Sequence, residues 1–156
     1  MQTLLAELSQ PHRTFPALHV AGTNGKGSVS AMADAALAKA GYAVGRYTSP
    51  HLFKVEERIA LNGAAVADTV LDAALARVFA AVDVLVARGE LAGVPTFFEV
   101  STAAAFLIFA DANVDVAVVE VGLGGRFDAT NVITPVAAAI TTIDFDHERH
   151  LGTTIA

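Results

Sequence analysis

The first third of the chain pairs a short apolar run with a segment of helical periodicity. The apolar run at 17–20 leads into a glycine-rich segment at 21–28. Apolar residues then recur at helical spacing, and Gly41 follows them as a C-terminal stop. The pattern predicts a strand, a glycine-rich loop and a helix whose apolar face carries Val29, Met32, Ala36, Leu37 and Ala40.

Two longer helices are predicted in the middle of the chain, after a second strand at 42–48. Asp68 is placed to cap the first, which continues to about Arg88. Thr96 and Glu99 have the spacing of a capping box before the second, an almost wholly apolar helix to about 110 that we expect to be buried. The first helix has one apolar stripe, formed by Leu71, Ala74, Leu75, Val78, Val82 and Leu85.

Two continuous runs of β-branched residues and alanine, at 114–121 and 136–143, are typical of strands covered on both faces. Strands that alternate with helices are too far apart for hairpins, so they imply right-handed crossovers. We therefore predict one α/β domain with a mainly parallel sheet and flanking helices.

Composition narrows the function classes. A chain of 156 residues suits a single domain. Its net charge of −6 offers no basic stripe for a nucleic acid. The uncharged stretch at 100–110 is too short to span a membrane, and no secretory signal precedes it. With no cysteine there is no disulfide framework and no thiolate metal site, which agrees with a cytoplasmic protein.

The glycine-rich loop has the chemistry of a phosphate site. Its glycines let backbone N–H groups approach a phosphate, the following helix adds its positive end, and Lys26 adds a charge. It departs twice from the usual phosphate-loop pattern, with Val20 in place of the first glycine and Gly27 directly after the lysine. The alternative is a flexible turn with a solvated lysine, and the strand–loop–helix context favours phosphate binding. The predicted binding residues are Gly22, Thr23, Asn24, Gly25, Lys26, Gly27 and Ser28.

Four polar groups follow predicted strands, where ligands bind in parallel sheets: Lys26, Ser49, Glu120 and His147. A buried lone carboxylate is costly, so Glu120 favours a Mg²⁺ site, and the alternative is a carboxylate that turns to solvent or accepts amide bonds from 122–125. Taken alone, His147 is an ordinary loop histidine. His147 and His150 have the spacing of a pair of zinc ligands, but no third ligand accompanies them.

Two other sets of residues are interpreted as structural. Thr96 and Glu99 form a cap rather than a chemical site. The aromatic cluster of Phe97, Phe98, Phe106 and Phe109 is interpreted as core rather than as a ligand platform.

Several segments together resemble one enzyme family. They are 20–28, 48–52 with 57–59 and 62–63, 98–99, 119–126 with 128–131, and 146–147 with 151–152. In this order they are similar to the motifs of the folylpolyglutamate synthase and dihydrofolate synthase family, relatives of the Mur ligases. The resemblance implies a phosphate-loop NTPase-like fold of the Mur ligase central-domain type.

The resemblance also implies an ATP-dependent ligase. ATP would phosphorylate a carboxylate of dihydropteroate or of a folate glutamate tail, and L-glutamate would then form the amide. By matched motif, Lys26 would hold the ATP phosphates, Ser28 would support the phosphate or metal, and Ser49, Glu120 and His147 would hold Mg²⁺. Lys26, Glu120 and His147 are therefore the expected catalytic residues.

Family members are longer than this chain. The resemblance implies that residues 1–156 are the N-terminal part of the ATP-binding domain, without the C-terminal glutamate-ligase domain, and we expect this part to be inactive alone. The open alternatives are a Mur-type amide ligase with another carboxylate substrate and a non-catalytic nucleotide-binding module.

Overall fold

A computed structural model describes residues 1–154, apart from the side chain of His150. The helices are α1 (Gln2–Glu7), α2 (Lys26–Lys39), α3 (Asp68–Ala87), α4 (Phe97–Asp111) and α5 (Glu148–Leu151). The strands are β1 (Ala17–Ala21), β2 (Val44–Tyr47), β3 (Ile59–Leu61), β4 (Ala64–Ala65), β5 (Val116–Glu120) and β6 (Ala137–Ile140). Single 3₁₀ turns lie at Pro11–Arg13 and Val55–Arg58. No helix in the described part of the chain is long and apolar enough to cross a bilayer.

The strands form one six-stranded sheet in the order β4-β3-β2-β5-β1-β6. Strands β2, β5, β1 and β6 are parallel, while β3 and β4 are antiparallel to their neighbours. This confirms the predicted α/β class. The chain passes from β1 to β2, and β5 is then inserted between them with Glu120 in register with Val20. The ends of β1 and β5 are therefore neighbours at the sheet edge where ligands bind.

Helices α1, α3 and α4 pack with one face of the sheet, and α2 covers the other. The predicted stripe of α3 is buried, with Leu75 at its margin. Helix α4 is buried as predicted, and its rings Phe106 and Phe109 are fully enclosed. The ring of Phe109 lies directly on Gly45 of β2, where a side chain would collide with it. The close approach of α4 to the sheet thus depends on a glycine.

The predicted apolar face of α2 is partly wrong. Val29 and Leu37 do face the sheet, but Met32 is 64% exposed and Ala36 and Ala40 are also exposed. The buried positions of α2 are Ser30 and Asp34. Asp34 accounts for this rotation, because its carboxylate lies 3.0 Å from Nε of Arg46 on β2, which offsets the cost of burying both charges.

The second wrong expectation concerns β6, which we predicted to be covered on both faces. All four of its residues are exposed. It forms the outer edge of the sheet within residues 1–154 and pairs with β1 alone. The described helices lie over the more central strands, so a hydrophobic run does not here indicate burial.

Two local features also differ from the prediction. Ala67, not Asp68, is the N-cap of α3, and Asp68 is the first helical residue. The β3–β4 hairpin was not predicted. Its turn is Asn62–Gly63, with φ of 52° and 82°, the left-handed values that a two-residue turn requires.

Candidate functional site

The glycine-rich loop joins β1 to α2 and is fixed at both ends. Gly25 is the N-cap of α2 with φ of 87°, a conformation that favours glycine. The backbone N–H of Thr23 donates to the carbonyl of Thr142 at 2.7 Å, and its hydroxyl donates to the carbonyl of Asp144 at 3.0 Å. The segment after β6 therefore holds the loop open at the start of α2, where the first helical N–H groups have no intrahelical partner.

Lys26 is the first residue of α2, and its Nζ donates to the carbonyl of Thr23 at 3.0 Å. The lysine thus folds back over its own loop instead of extending into solvent. Burial raises the pKa of the nearby Glu120 carboxyl, and the charge of Lys26 partly opposes that rise. This placement fits a cation that supports an anion held by the loop.

Glu120 ends β5 and is 3% exposed. Its Oε2 accepts a hydrogen bond from the backbone N–H of Ser49 at 3.1 Å. A Cβ placed on Gly27 would lie 3.8 Å from the same oxygen, so the carboxylate lies beside the glycine-rich loop. Burial raises the pKa of Glu120, against the opposing effects of the Ser49 amide, Lys26 and Arg46. A divalent cation beside this carboxylate would stabilise its ionised form.

Ser49 follows β2 and lies next to Glu120, whereas His147 stands further out. His147 is the N-cap of α5 with φ of 49°, and its side chain is 57% exposed. Its Nε2 lies 3.8 Å from the Asp146 carboxylate. Within the described part of the chain, no three His, Cys, Asp or Glu residues cluster as a ready metal site. The side chain of His150, from the possible zinc pair, lies outside the described residues.

Lys26, Ser49, Glu120 and His147 all line one cleft, of about 1180 Å³. This is large enough for a cofactor-sized ligand. Four more predicted loop residues line the cleft: Thr23, Asn24, Gly25 and Gly27. Lining residues that were not predicted to bind include Arg58, Thr96, Phe98, Glu99, Leu123, Phe127 and Asp128. The capping box of Thr96 and Glu99 is confirmed, and both residues also face the cleft.

The aromatic cluster is divided by the structure. Phe106 and Phe109 are core, as predicted, but Phe97 is 56% exposed and Phe98 forms part of the cleft wall. The ring of Phe98 lies against Gly122, directly after β5. The sequence could not separate these roles, because all four residues are phenylalanines and only their places along α4 differ.

The loop after β5 is held by Asp128. Its Oδ2 accepts from the N–H of Leu123 at 2.8 Å, and its Oδ1 accepts from the N–H and the hydroxyl of Thr130. The Thr130 hydroxyl lies 2.8 Å from Nε2 of the buried His19 on β1. The amide of Leu123 therefore bonds to Asp128 and not to Glu120, which leaves Glu120 directed at Ser49 and the glycine-rich loop.

The segment from Ser49 to Arg58 leaves the sheet after β2 and returns as β3. The N–H of Thr48 donates to the carbonyl of Arg58 at 2.9 Å, which closes its base. At its tip, the Glu57 carboxylate accepts from three successive backbone N–H groups, those of residues 52–54. These bonds, the one from Leu52 first, lower the pKa of Glu57.

The fold and the cleft define an α/β protein with the strand, glycine-rich loop and helix arrangement of phosphate-loop proteins. No protein-family model matches the chain. The dihydrofolate synthase/folylpolyglutamate synthase of Bacillus subtilis (strain 168) is 46% identical over 156 residues, a match that covers 99% of this chain and 36% of that protein. The chain therefore spans about a third of the length of this relative.

Solved structures agree with the sequence comparison. Mycobacterium tuberculosis folylpolyglutamate synthase complexed with ADP superposes with a TM-score of 0.92 at 44% identity, covering 99% of this chain and 34% of that one. An FPGS–AMPPCP–folate complex superposes with a TM-score of 0.94 at 42% identity, covering 99% of this chain and 37% of that one. The chain belongs to the folylpolyglutamate synthase and dihydrofolate synthase family.

Proposed function

We propose that the chain supplies the N-terminal part of the ATP-binding domain of a ligase that adds L-glutamate to dihydropteroate or to a folate glutamate tail. The observation that carries the proposal is the buried carboxylate of Glu120, which lies beside Gly27 of the glycine-rich loop and in one cleft with Ser49. Relatives of this fold bind ADP, AMPPCP and folate. A cytoplasmic location is part of the proposal, and the absence of cysteine supports it.

The proposed reaction has two steps. First, a carboxylate oxygen of the folate substrate forms a bond to the γ-phosphorus of ATP, and the bond from that phosphorus to the β–γ bridging oxygen breaks, so its electron pair leaves with ADP. Second, the amine of L-glutamate attacks the acyl carbon, phosphate leaves, and the amine loses a proton. The first step is needed because a free carboxylate has no good leaving group, and the protein assists mainly by positioning groups and offsetting charge.

The residues of the cleft divide these tasks. The backbone of residues 22–28 would hold the ATP phosphates, with Lys26 as the charged contact and Ser28 as a support. Ser49, Glu120 and His147 would hold Mg²⁺, which would neutralise charge on the phosphates. Glu120 fits this role because it is buried and ionisation is costly there without a cation. Few protein ligands suffice, since Mg²⁺ commonly binds one or two carboxylates together with phosphate oxygens and water.

Titration calorimetry with ATP and ADP, with and without Mg²⁺, tests the nucleotide site. We expect binding that Mg²⁺ strengthens, a large loss of affinity in Lys26→Ala, and loss of the Mg²⁺ effect in Glu120→Gln. Lys39→Ala is the matched control, because Lys39 lies in the last turn of the same helix and is exposed. Equal affinity with and without Mg²⁺ would remove Glu120 from the proposed metal site, and unchanged affinity in Lys26→Ala would refute the phosphate loop.

A further inference from the structure

Arg58 is the arginine whose environment the proposed nucleotide site does not explain. Arg58 is 9% exposed and lines the cleft. Arginines that are buried in proteins are normally paired with a carboxylate, because an unpaired buried charge is expensive. Arg46, which is also largely buried, follows that rule by pairing with Asp34.

No acidic side chain within residues 1–154 lies within 4.0 Å of Arg58. Its Nε donates to Nδ1 of His51 at 2.8 Å, and its guanidinium carbon lies 5.1 Å from the centroid of the Phe97 ring. These contacts fix the plane of the guanidinium without neutralising its charge. The guanidinium also lies beside the hydroxyl of Tyr47, which is neutral. Its terminal amino groups therefore have no anionic partner within residues 1–154, and their paired N–H donors match the two oxygens of a carboxylate.

The position of Arg58 separates it from the phosphate loop. Arg58 precedes β3, which is three strands from β1 in the sheet order, or about 14 Å at the usual spacing between strands. Strand β5, which carries Glu120, lies between them. An anion on Arg58 would thus approach Ser49 and Glu120 from the side opposite to the loop, next to the aromatic rings of Phe97 and His51.

We infer that Arg58 recognises the carboxylate of the aromatic substrate and holds it for attack on the γ-phosphate. The inference rests on the proposed function, because it names the contact that delivers the second anion of that reaction. A carboxylate and a triphosphate repel each other, so a cation on each side of the reacting pair lowers the cost of bringing them together. Lys26 acts on the phosphate side and Arg58 on the carboxylate side.

The test compares two ligands that differ only in this charge, dihydropteroate and its carboxamide analogue. Both are titrated into the chain without nucleotide. The wild-type chain should bind the acid about 10-fold to 100-fold more tightly than the amide, as expected of a hydrogen-bonded charge pair. In Arg58→Met the acid should weaken to the affinity of the amide, while binding of the amide is unchanged. Arg58→Lys should restore part of the preference.

The outcomes separate recognition from a structural role. If Arg58 only supports the fold, Arg58→Met weakens acid and amide equally, which overturns the inference. A wild-type chain that shows no preference for the acid, or binds neither ligand, overturns it as well. Arg58→Gln replaces Arg58→Met should the latter lose its thermal unfolding transition. Mg²⁺-dependent ATP binding, measured separately on the same samples, tests the proposed function, so the two can fail independently.

Discussion

Gly45 and Gly122 each lie directly against a phenylalanine ring, but in different surroundings. We therefore expect substitution by alanine to lower stability at Gly45 and ligand affinity at Gly122. A Cβ at Gly45 would lie 2.6 Å from Cδ1 of Phe109, and one at Gly122 would lie 2.7 Å from Cε1 of Phe98. Neither glycine has a left-handed φ, so alanine fits the backbone at both. The difference is that Phe109 is enclosed, whereas Phe98 borders the cleft.

Gly45→Ala should destabilise the fold. Phe109 is 0% exposed and packs edge-on against Phe15 at 5.8 Å, so its ring has no space to move into. Overpacking of this kind costs about 1–3 kcal/mol. Alanine also restricts the unfolded chain more than glycine does, which stabilises the folded state by about 0.4–1 kcal/mol. We therefore expect a net loss of about 1–2 kcal/mol, which lowers the unfolding midpoint by about 2–8 °C at about 2–4 °C per kcal/mol.

Gly122→Ala should instead weaken ligand binding. In the free protein the Phe98 ring can turn into the cleft, so most of the overpacking is relieved and the midpoint changes little. A ligand that fills the cleft must push the ring back and then meets the overpacking cost of about 1–3 kcal/mol, which is about a 5-fold to 150-fold loss of affinity. Dihydropteroate is the probe for this effect.

Thermal unfolding and calorimetric titration on the same preparations decide between these expectations. Gly93→Ala is the control, because nothing lies within 4 Å of a Cβ at Gly93. An unchanged midpoint in Gly45→Ala would show that α4 can move away from the sheet. Wild-type affinity in Gly122→Ala, with a midpoint lowered as in Gly45→Ala, would show that Phe98 is packed as rigidly as Phe109.

Three further predictions concern the cap of α4, a buried histidine and the complete reaction. Thr96→Ala removes the hydroxyl that accepts from the Glu99 N–H, so it should lower the free energy of unfolding by about 1 kcal/mol in chemical denaturation. Thr96→Ser is the control, because it keeps the cap. An unchanged free energy of unfolding in Thr96→Ala would refute this prediction. Burial lowers the pKa of His19 despite the opposing charge of Asp128, so the unfolded state binds protons first and stability should fall as the pH drops below about 6.5. His19→Gln should flatten that fall, and an equally steep pH profile in this variant would exclude His19 as its source. The chain incubated with ATP, Mg²⁺, L-glutamate and dihydropteroate should yield no glutamate amide by mass spectrometry, because ligation needs the acyl phosphate and the amine held together. Product formed at the rate of a full-length relative would instead place the glutamate site within these residues.

The sheet and its ligand-binding edge could be predicted because they depend on strong local signals. Strands β1 and β5 coincide with apolar runs, and a glycine-rich loop between a strand and a helix is typical of a phosphate site. The capping box set the start of α4. Convergence of Ser49 and Glu120 followed from strand direction alone, since parallel strands end at one edge. Their roles as metal ligands stay a prediction.

The wrong expectations share a physical cause, which is that burial depends on neighbours that the local sequence does not contain. Helix α2 is rich in alanine, so its apolar pattern does not fix its rotation, and the Asp34–Arg46 ion pair does. The exposed β6 is wholly apolar, as most of the enclosed β5 is, and the two strands differ in their place in the sheet. Arg58 could not be identified as a cleft residue because nothing near it in sequence shows that it lacks an acidic partner.

The loop between Ser49 and Arg58 has two ends that are fixed beside the cleft and an exposed tip whose sequence can vary. Its ends are fastened to the sheet by the Thr48–Arg58 hydrogen bond, and its tip exposes Leu52 and Phe53 at 83% and 90%. Doubling the length of such a loop costs only about 0.6 kcal/mol in closure entropy. The tip can therefore be lengthened or exchanged while Ser49 and Arg58 keep their positions. An engineer could graft new substrate contacts onto this tip without disturbing the groups beside Glu120.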